Sequence, residues 1–127
     1  MIKAEIARDG DEITVSALGH AGYAPEGSDI VCAAMSALCI SFSITLDELE
    51  EKGVLSQRKG TLERGEFRCE FEDISGCGSL LALMLINGVD YLAGRYPGCV
   101  SLRGSGKHRE ETYERLPALI AGLKGTG

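Results

Sequence analysis

The chain has 127 residues, 44% of them hydrophobic and 25% charged, with a formal net charge of −6. That is one domain's worth of ordinary globular composition, long enough to bury a core without cross-links. The acidic balance argues against direct nucleic-acid binding, which needs a basic face to displace counterions, and leaves basic protein partners open.

Ile2, Ala4 and Ile6 alternate with Lys3 and Glu5, the period of a half-buried strand. Asp9-Gly10 marks a tight hairpin turn. Ile13, Val15 and Ala17 restart the alternation in a second strand that ends at Gly19-His20. Residues 21–28 contain Gly22, Pro25 and Gly27 and read as a loop. Ser28 or Asp29 is the expected N-cap of a helix over about 30–52, closed by Gly53. The uncharged run 30–46 is barely long enough to span a bilayer. Ser36, Ser41, Ser43 and Thr45 interrupt it, which predicts a helix lying across a sheet and no membrane association. Asp47, Glu48, Glu50 and Glu51 read as its solvated acidic end.

A third strand is expected over 54–58, with its turn at 60–65. In a fourth, Phe67, Cys69 and Phe71 face inward while Glu66, Arg68, Glu70 and Glu72 face outward. Residues 74–78 read as a glycine-rich loop, Ser79 as a cap, and 80–96 as a second helix stopped by Pro97-Gly98. Residues 99–103 make a short last strand. The order β-β-α-β-β-α-β predicts an α+β two-layer sandwich: a mainly antiparallel sheet with two helices on one face. It forms a single domain over 1–104. Residues 105–127 are expected to be a C-terminal tail, an appendage with a short helix near 116–123. Gly104-Ser105-Gly106 reads as its hinge and His108 as solvated.

Cys32, Cys39, Cys69, Cys77 and Cys99 are odd in number and cannot all pair within the chain. The charged N-terminus lacks the apolar stretch of a secretory signal. A cytoplasmic location with reduced thiols is therefore expected. With no C-x-x-C spacing and only His20 and His108, no metal site is expected.

The chemistry concentrates in residues 19–38. His20 stands at a strand end, Cys32 in the first turn of a helix, and a glycine-bearing loop joins them. Backbone N–H groups at a helix N-terminus favour a thiolate at Cys32. An imidazole within reach would complete a thiolate–imidazolium pair, and the same N–H groups could hold an oxyanion. Cysteine is equally a common small core residue. His20 also falls in register with Thr14 and Ser16, away from the helix side of the sheet, so the chain must turn after Leu18 for the pair to meet.

This segment resembles the signature of the Prp family, the bacterial ribosomal-processing cysteine proteases. The family pattern is a Gly-His-Ala strand end, a glycine-containing loop, then Gly-x-Asp-Ile-Val-Cys-Ala-Ala-x-Ser-Ala-Leu. Here stand Gly19-His20-Ala21, then Gly27-Ser28-Asp29-Ile30-Val31-Cys32-Ala33-Ala34-Met35-Ser36-Ala37-Leu38, with Met35 where valine is common. The resemblance extends to about Arg103. It implies a cysteine endopeptidase, needing no cofactor, that removes an N-terminal extension from a large-subunit ribosomal protein. It makes Cys32 the nucleophile and His20 the general base and acid. Asp29 and Ser36 match further positions linked to the site, Asp29 capping the helix or orienting the imidazole and Ser36 one turn beyond Cys32. It also implies a homodimer and a flexible loop over the site, with Gly22 and Gly27 as hinges.

Two other readings stay open. One is thiol redox chemistry, with Cys39 or Cys77 resolving an oxidised Cys32. The other is a non-catalytic acidic dimer that binds a basic ribosomal protein.

Overall fold

Strand β1 (Ile2–Asp9) buries Ile2, Ala4 and Ile6, and β2 (Glu12–Leu18) buries Ile13 and Val15. This computed structural model describes residues 1–125. β4 (Glu66–Glu72) adds Phe67, Cys69 and Phe71 to the same apolar face. With β3 (Ser56–Glu63) and β5 (Val100–Arg103) they form one sheet in the order β3-β4-β2-β1-β5. Every neighbouring pair is antiparallel except β1–β5, which is parallel.

Two helices cover that face. α1 (Ile30–Glu51) buries Val31, Met35, Cys39, Phe42 and Leu46 at helical spacing. α2 (Cys77–Arg95) buries Ala82, Leu85, Ile86, Val89 and Leu92. Helix and strand residues join in a single core, with Phe42 centred 6.4 Å from Phe67 and 6.1 Å from Phe71. The α+β sandwich expected from the sequence is the architecture found. The uncharged run of α1 is buried on one side only, since Ile30, Ile40 and Ile44 are exposed on the other.

Three elements differ from the sequence reading. β3 begins later and runs through Gly60, which pairs with Cys69, so the turn shrinks to Arg64-Gly65. β3 is an edge strand exposed along both faces, so it carries no apolar alternation to reveal it. α2 begins at Cys77, with Ser79 inside it, and its first turn is capped from a distance. The Asp73 carboxylate accepts from the N–H groups of Gly78 at 3.0 Å and Ser79 at 2.7 Å.

The third difference is the tail. Residues 105–125 form one long helix, α3 (Ser105–Gly125), docked on α2 and β1 rather than hanging from the domain; residues 126 and 127 lie outside the described residues. Gly104 is no hinge, because a Cβ there would run into the Ile6 carbonyl oxygen. His108 is not solvated but 1% exposed, and its Nε2–H donates to the Ser79 carbonyl at 3.0 Å. Burial holds its pKa below the ordinary histidine value. The charge beneath the helix is Arg8, the next inward position of β1 after Ile6. Arg8 donates to Ser79 Oγ at 2.9 Å and pairs with Glu111 at 3.0 Å. Arg115–Asp11 and Arg109–Asp90 ion pairs fasten the outer edge of the helix.

Losing one partner of a buried charge costs more than the pair itself gains. Glu111→Ala should therefore destabilise the protein by about 2 kcal/mol in urea titrations, whereas Glu110→Ala, on an exposed position, should leave the midpoint unchanged.

Candidate active site

The register of the sheet sets where the histidine leaves it. β2 and β4 pair as far as Leu18 opposite Glu66, and one further bond follows, from Gly19 N–H to the Gly65 carbonyl at 2.9 Å. Gly19 then turns the chain out of the strand with φ +103°. A Cβ at that position would lie 2.5 Å from the Met1 carbonyl oxygen, so the turn requires glycine. This turn removes the parity conflict of a strand-end His20 facing away from the helices. Ala21 is buried, and its N–H donates to Cys32 Sγ at 3.3 Å. His20 stays exposed, with its ring against Gly65. Among the described residues no hydrogen bond joins the imidazole to Sγ; the Ala21 amide next to His20 makes the link instead.

Asp29 is the N-cap of α1, and it does more than cap. Its Oδ1 accepts from the N–H groups of Val31 and Cys32, each at 3.0 Å. Its Oδ2 accepts from Tyr23 at 2.9 Å and Ala24 at 3.3 Å, on the far side of the loop. A carboxylate has about four lone-pair positions, and all are used by backbone. Nothing remains to orient the imidazole, so of the two roles expected for Asp29 the structure carries capping. The Cys32 amide foremost, joined by those of Ala24, Tyr23 and Val31, holds the carboxyl below its ordinary value of 3.8, against a smaller opposing effect of desolvation.

His20, Asp29, Cys32 and Ser36 line one open cleft of about 660 Å³, together with Gly22 and Gly27. Ser36 sits one turn beyond Cys32, exposed on the same wall. The β3–β4 turn, Arg64-Gly65, forms the opposite wall. The loop between the walls is tied by a Tyr23–Tyr96 edge-on contact at 5.3 Å and a Glu26–Arg64 ion pair. Gly22 and Gly27 already adopt left-handed backbone, at φ +69° and +87°.

The remaining cysteines do not supply a redox partner. Cys39 is seven residues along α1 from Cys32, about 10 Å by helical rise, beyond the Cα separation a disulfide spans. Burial pushes its thiol up to about 11 and that of Cys69 up to about 12. All five cysteines are free thiols, and Cys69, Cys77 and Cys99 are not among the residues that line the cleft with Cys32. Sequence reasoning missed Ala21 as the thiol's donor, Gly65 as the surface under the His20 ring, and the second pair of bonds at Asp29. The second follows from the extension of the β2–β4 register, which places Gly65 across from Gly19.

The family model described as "Cysteine protease Prp" matches residues 1–101. Among curated proteins no match is found. The fold is similar to an essential ribosomal processing protease Prp from S. aureus, in complex with a covalently linked product peptide. That structure gives a TM-score of 0.65 at 23% identity, covering 81% of this chain and 98% of the other. The same S. aureus protease in complex with a substrate peptide gives 0.58 at 20% identity, covering 82% and 100%. SMU.848 from Streptococcus mutans gives 0.55 at 27% identity, covering 81% and 92%.

The Asp29 clamp has a defined pH window. Its folded pKa is depressed, so its contribution is complete above about pH 4 and is lost as pH falls through the folded value. Asp29→Asn keeps an oxygen for the helix amides but turns an NH2 toward Tyr23 and Ala24. Hydrogen exchange should then show those two amides exposed at neutral pH while the interior of α1 stays protected. Unchanged protection of Tyr23 and Ala24 would refute the clamp.

Proposed function

We propose that this chain, which belongs to the Prp family of cysteine proteases, removes the N-terminal extension of a large-subunit ribosomal protein through a Cys32 thiolate, with His20 as general base and acid. What carries this reading is the meeting of Cys32 and His20 on one cleft, with the Ala21 N–H 3.3 Å from Sγ. The solved S. aureus relative is described as a ribosomal processing protease holding a substrate peptide, which supports the same substrate class here. The net charge of −6 suits a basic ribosomal protein in the cytoplasm.

In this mechanism His20 takes the thiol proton as Sγ attacks the scissile carbonyl. The tetrahedral adduct collapses to a thioester as the imidazolium returns that proton to the leaving amine. Water, deprotonated by His20, then attacks the thioester, releasing the extension and restoring the thiol. The oxyanion donor differs from the one helix geometry alone suggests. The N–H groups of Val31 and Cys32 are committed to the Asp29 side chain, and that of Ala33 to the Asp29 carbonyl. The donor beside the attacking atom is Ala21 N–H, which supports Sγ at rest and the oxyanion after attack. Asp29 positions both by clamping loop to helix, and Ser36 offers a hydroxyl on the cleft wall. Substrate displaces the tip of the 21–28 loop next to Gly27, while Ala21 and the Asp29 clamp stay in place.

A homodimer fits the outer face of α1. Ile30, Ala37 and Ile44 are exposed, lie outside the cleft lining and recur at seven-residue steps, the spacing of a helix–helix seam.

Incubation with the unprocessed ribosomal protein should yield two products by intact mass. Cys32→Ala should bind the precursor but lose cleavage by about 10³-fold or more, and retained cleavage by pure variant would exclude Cys32 as nucleophile. Ile44→Glu should shift the protein towards monomer in light scattering; an unchanged mass would remove α1 from the dimer contact.

A further inference from the structure

The His20 ring lies on a residue that has no side chain. A Cβ built on Gly65 would stand 2.7 Å from His20 Nε2 and 2.9 Å from Cε1, closer than any real Cβ approaches a neighbour. The ring edge therefore rests on bare backbone. The sheet brings the two residues together, because the Gly19–Gly65 hydrogen bond places the residue before His20 directly across from Gly65. The tip itself is held on the cleft side, where Arg64 pairs with Glu26 of the loop. An exposed imidazole at a strand end has few neighbours to select its rotamer, and a wall on one side restricts it.

We propose that Gly65 is the positioning residue for His20: the absent side chain at the tip of the β3–β4 hairpin is the notch that aims the imidazole into the cleft. This rests on the reading of His20 as the general base. A larger residue at 65 turns the ring out of the notch and leaves Cys32, Ala21 and the Asp29 clamp in place. Misplacement of a base by about an ångström costs on the order of 10²-fold in rate.

The competing explanation is that Gly65 merely satisfies its turn, since its φ is +75°. Gly10 separates the two. It occupies another hairpin turn at φ +62°, and a Cβ there meets nothing within 4 Å. Gly10→Ala carries a comparable backbone strain with no contact to His20.

The test combines ring-proton NMR with turnover of the unprocessed ribosomal protein. His20 and His108 are the two histidines, so His20→Ala assigns the spectrum. In wild-type protein a nuclear Overhauser effect should join His20 Hε1 to the Gly65 α-protons; its absence would overturn the proposal without any variant having to fold. Gly65→Ala should move the His20 Hε1 resonance, displace the base limb of the kcat–pH profile, and lower kcat by about 10²-fold with little change in KM. Gly10→Ala should do none of these. In a His20→Ala background, adding Gly65→Ala should cost no further activity. Equal losses in Gly65→Ala and Gly10→Ala, or an unmoved His20 signal, would reduce Gly65 to a turn residue. Full turnover by His20→Ala would instead remove the general-base reading, while the Overhauser contact and ring resonance still decide whether Gly65 seats the ring.

Discussion

Four backbone N–H groups converge on the carboxylate of Asp29, and the shape of the cleft depends on them. Two belong to the first turn of α1 and two to the loop leaving β2. One side chain thus fixes the start of the helix that carries Cys32 and the course of the segment that begins at His20. With those bonds made, the loop amide of Ala21 comes within reach of Sγ. The carboxylate acts here as a structural anion whose ionised form is selected by amides, not as a titrating catalytic group. Its occupation of the helix N-terminus also leaves the Val31 and Cys32 amides committed to the cap, so in the proposed mechanism the oxyanion donor comes from the loop.

The other half of the site is delivered by the sheet. β2 could carry a strand-end histidine to the wrong face, and Gly19 prevents that by turning the chain against the Met1 carbonyl. The β3–β4 hairpin meets His20 as it emerges. The cleft is therefore built from two independent supports, a helix cap and a hairpin tip, joined across the loop by the Glu26–Arg64 pair. α3 stands apart from this machinery and closes the other end of the domain, over Arg8, Ser79 and His108.

Sequence periodicity made the core legible wherever one face of an element is buried. Ile2, Ala4 and Ile6, then Ile13 and Val15, then Phe67, Cys69 and Phe71 all lie inward as alternation requires. It placed β3 over 54–58 but missed its extent to Glu63, because this edge strand is solvated on both faces. It misjudged the tail because α3 is polar along much of its length and contributes hydrogen-bonding groups rather than apolar bulk. The missing clue was Arg8, which continues the inward parity of β1 and so needs buried partners from elsewhere. At the site, residues 19–38 named the chemical groups through their family resemblance. The double use of Asp29 was hidden because an ordinary N-cap and a loop clamp look identical in sequence. The contact of His20 with Gly65 was hidden because it is set by strand pairing between segments more than forty residues apart.

In the proposed mechanism, peptide cleavage passes through a covalent bond to Cys32. Rapid acid quenching of the enzyme during turnover of the unprocessed ribosomal protein, followed by intact mass and peptide mapping, tests it most directly. A transient adduct equal to the acyl form of the released extension should appear, attached at Cys32 and absent in Cys32→Ala. An adduct on another residue, or turnover with no acyl-enzyme on a timescale that resolves single turnovers, would contradict it.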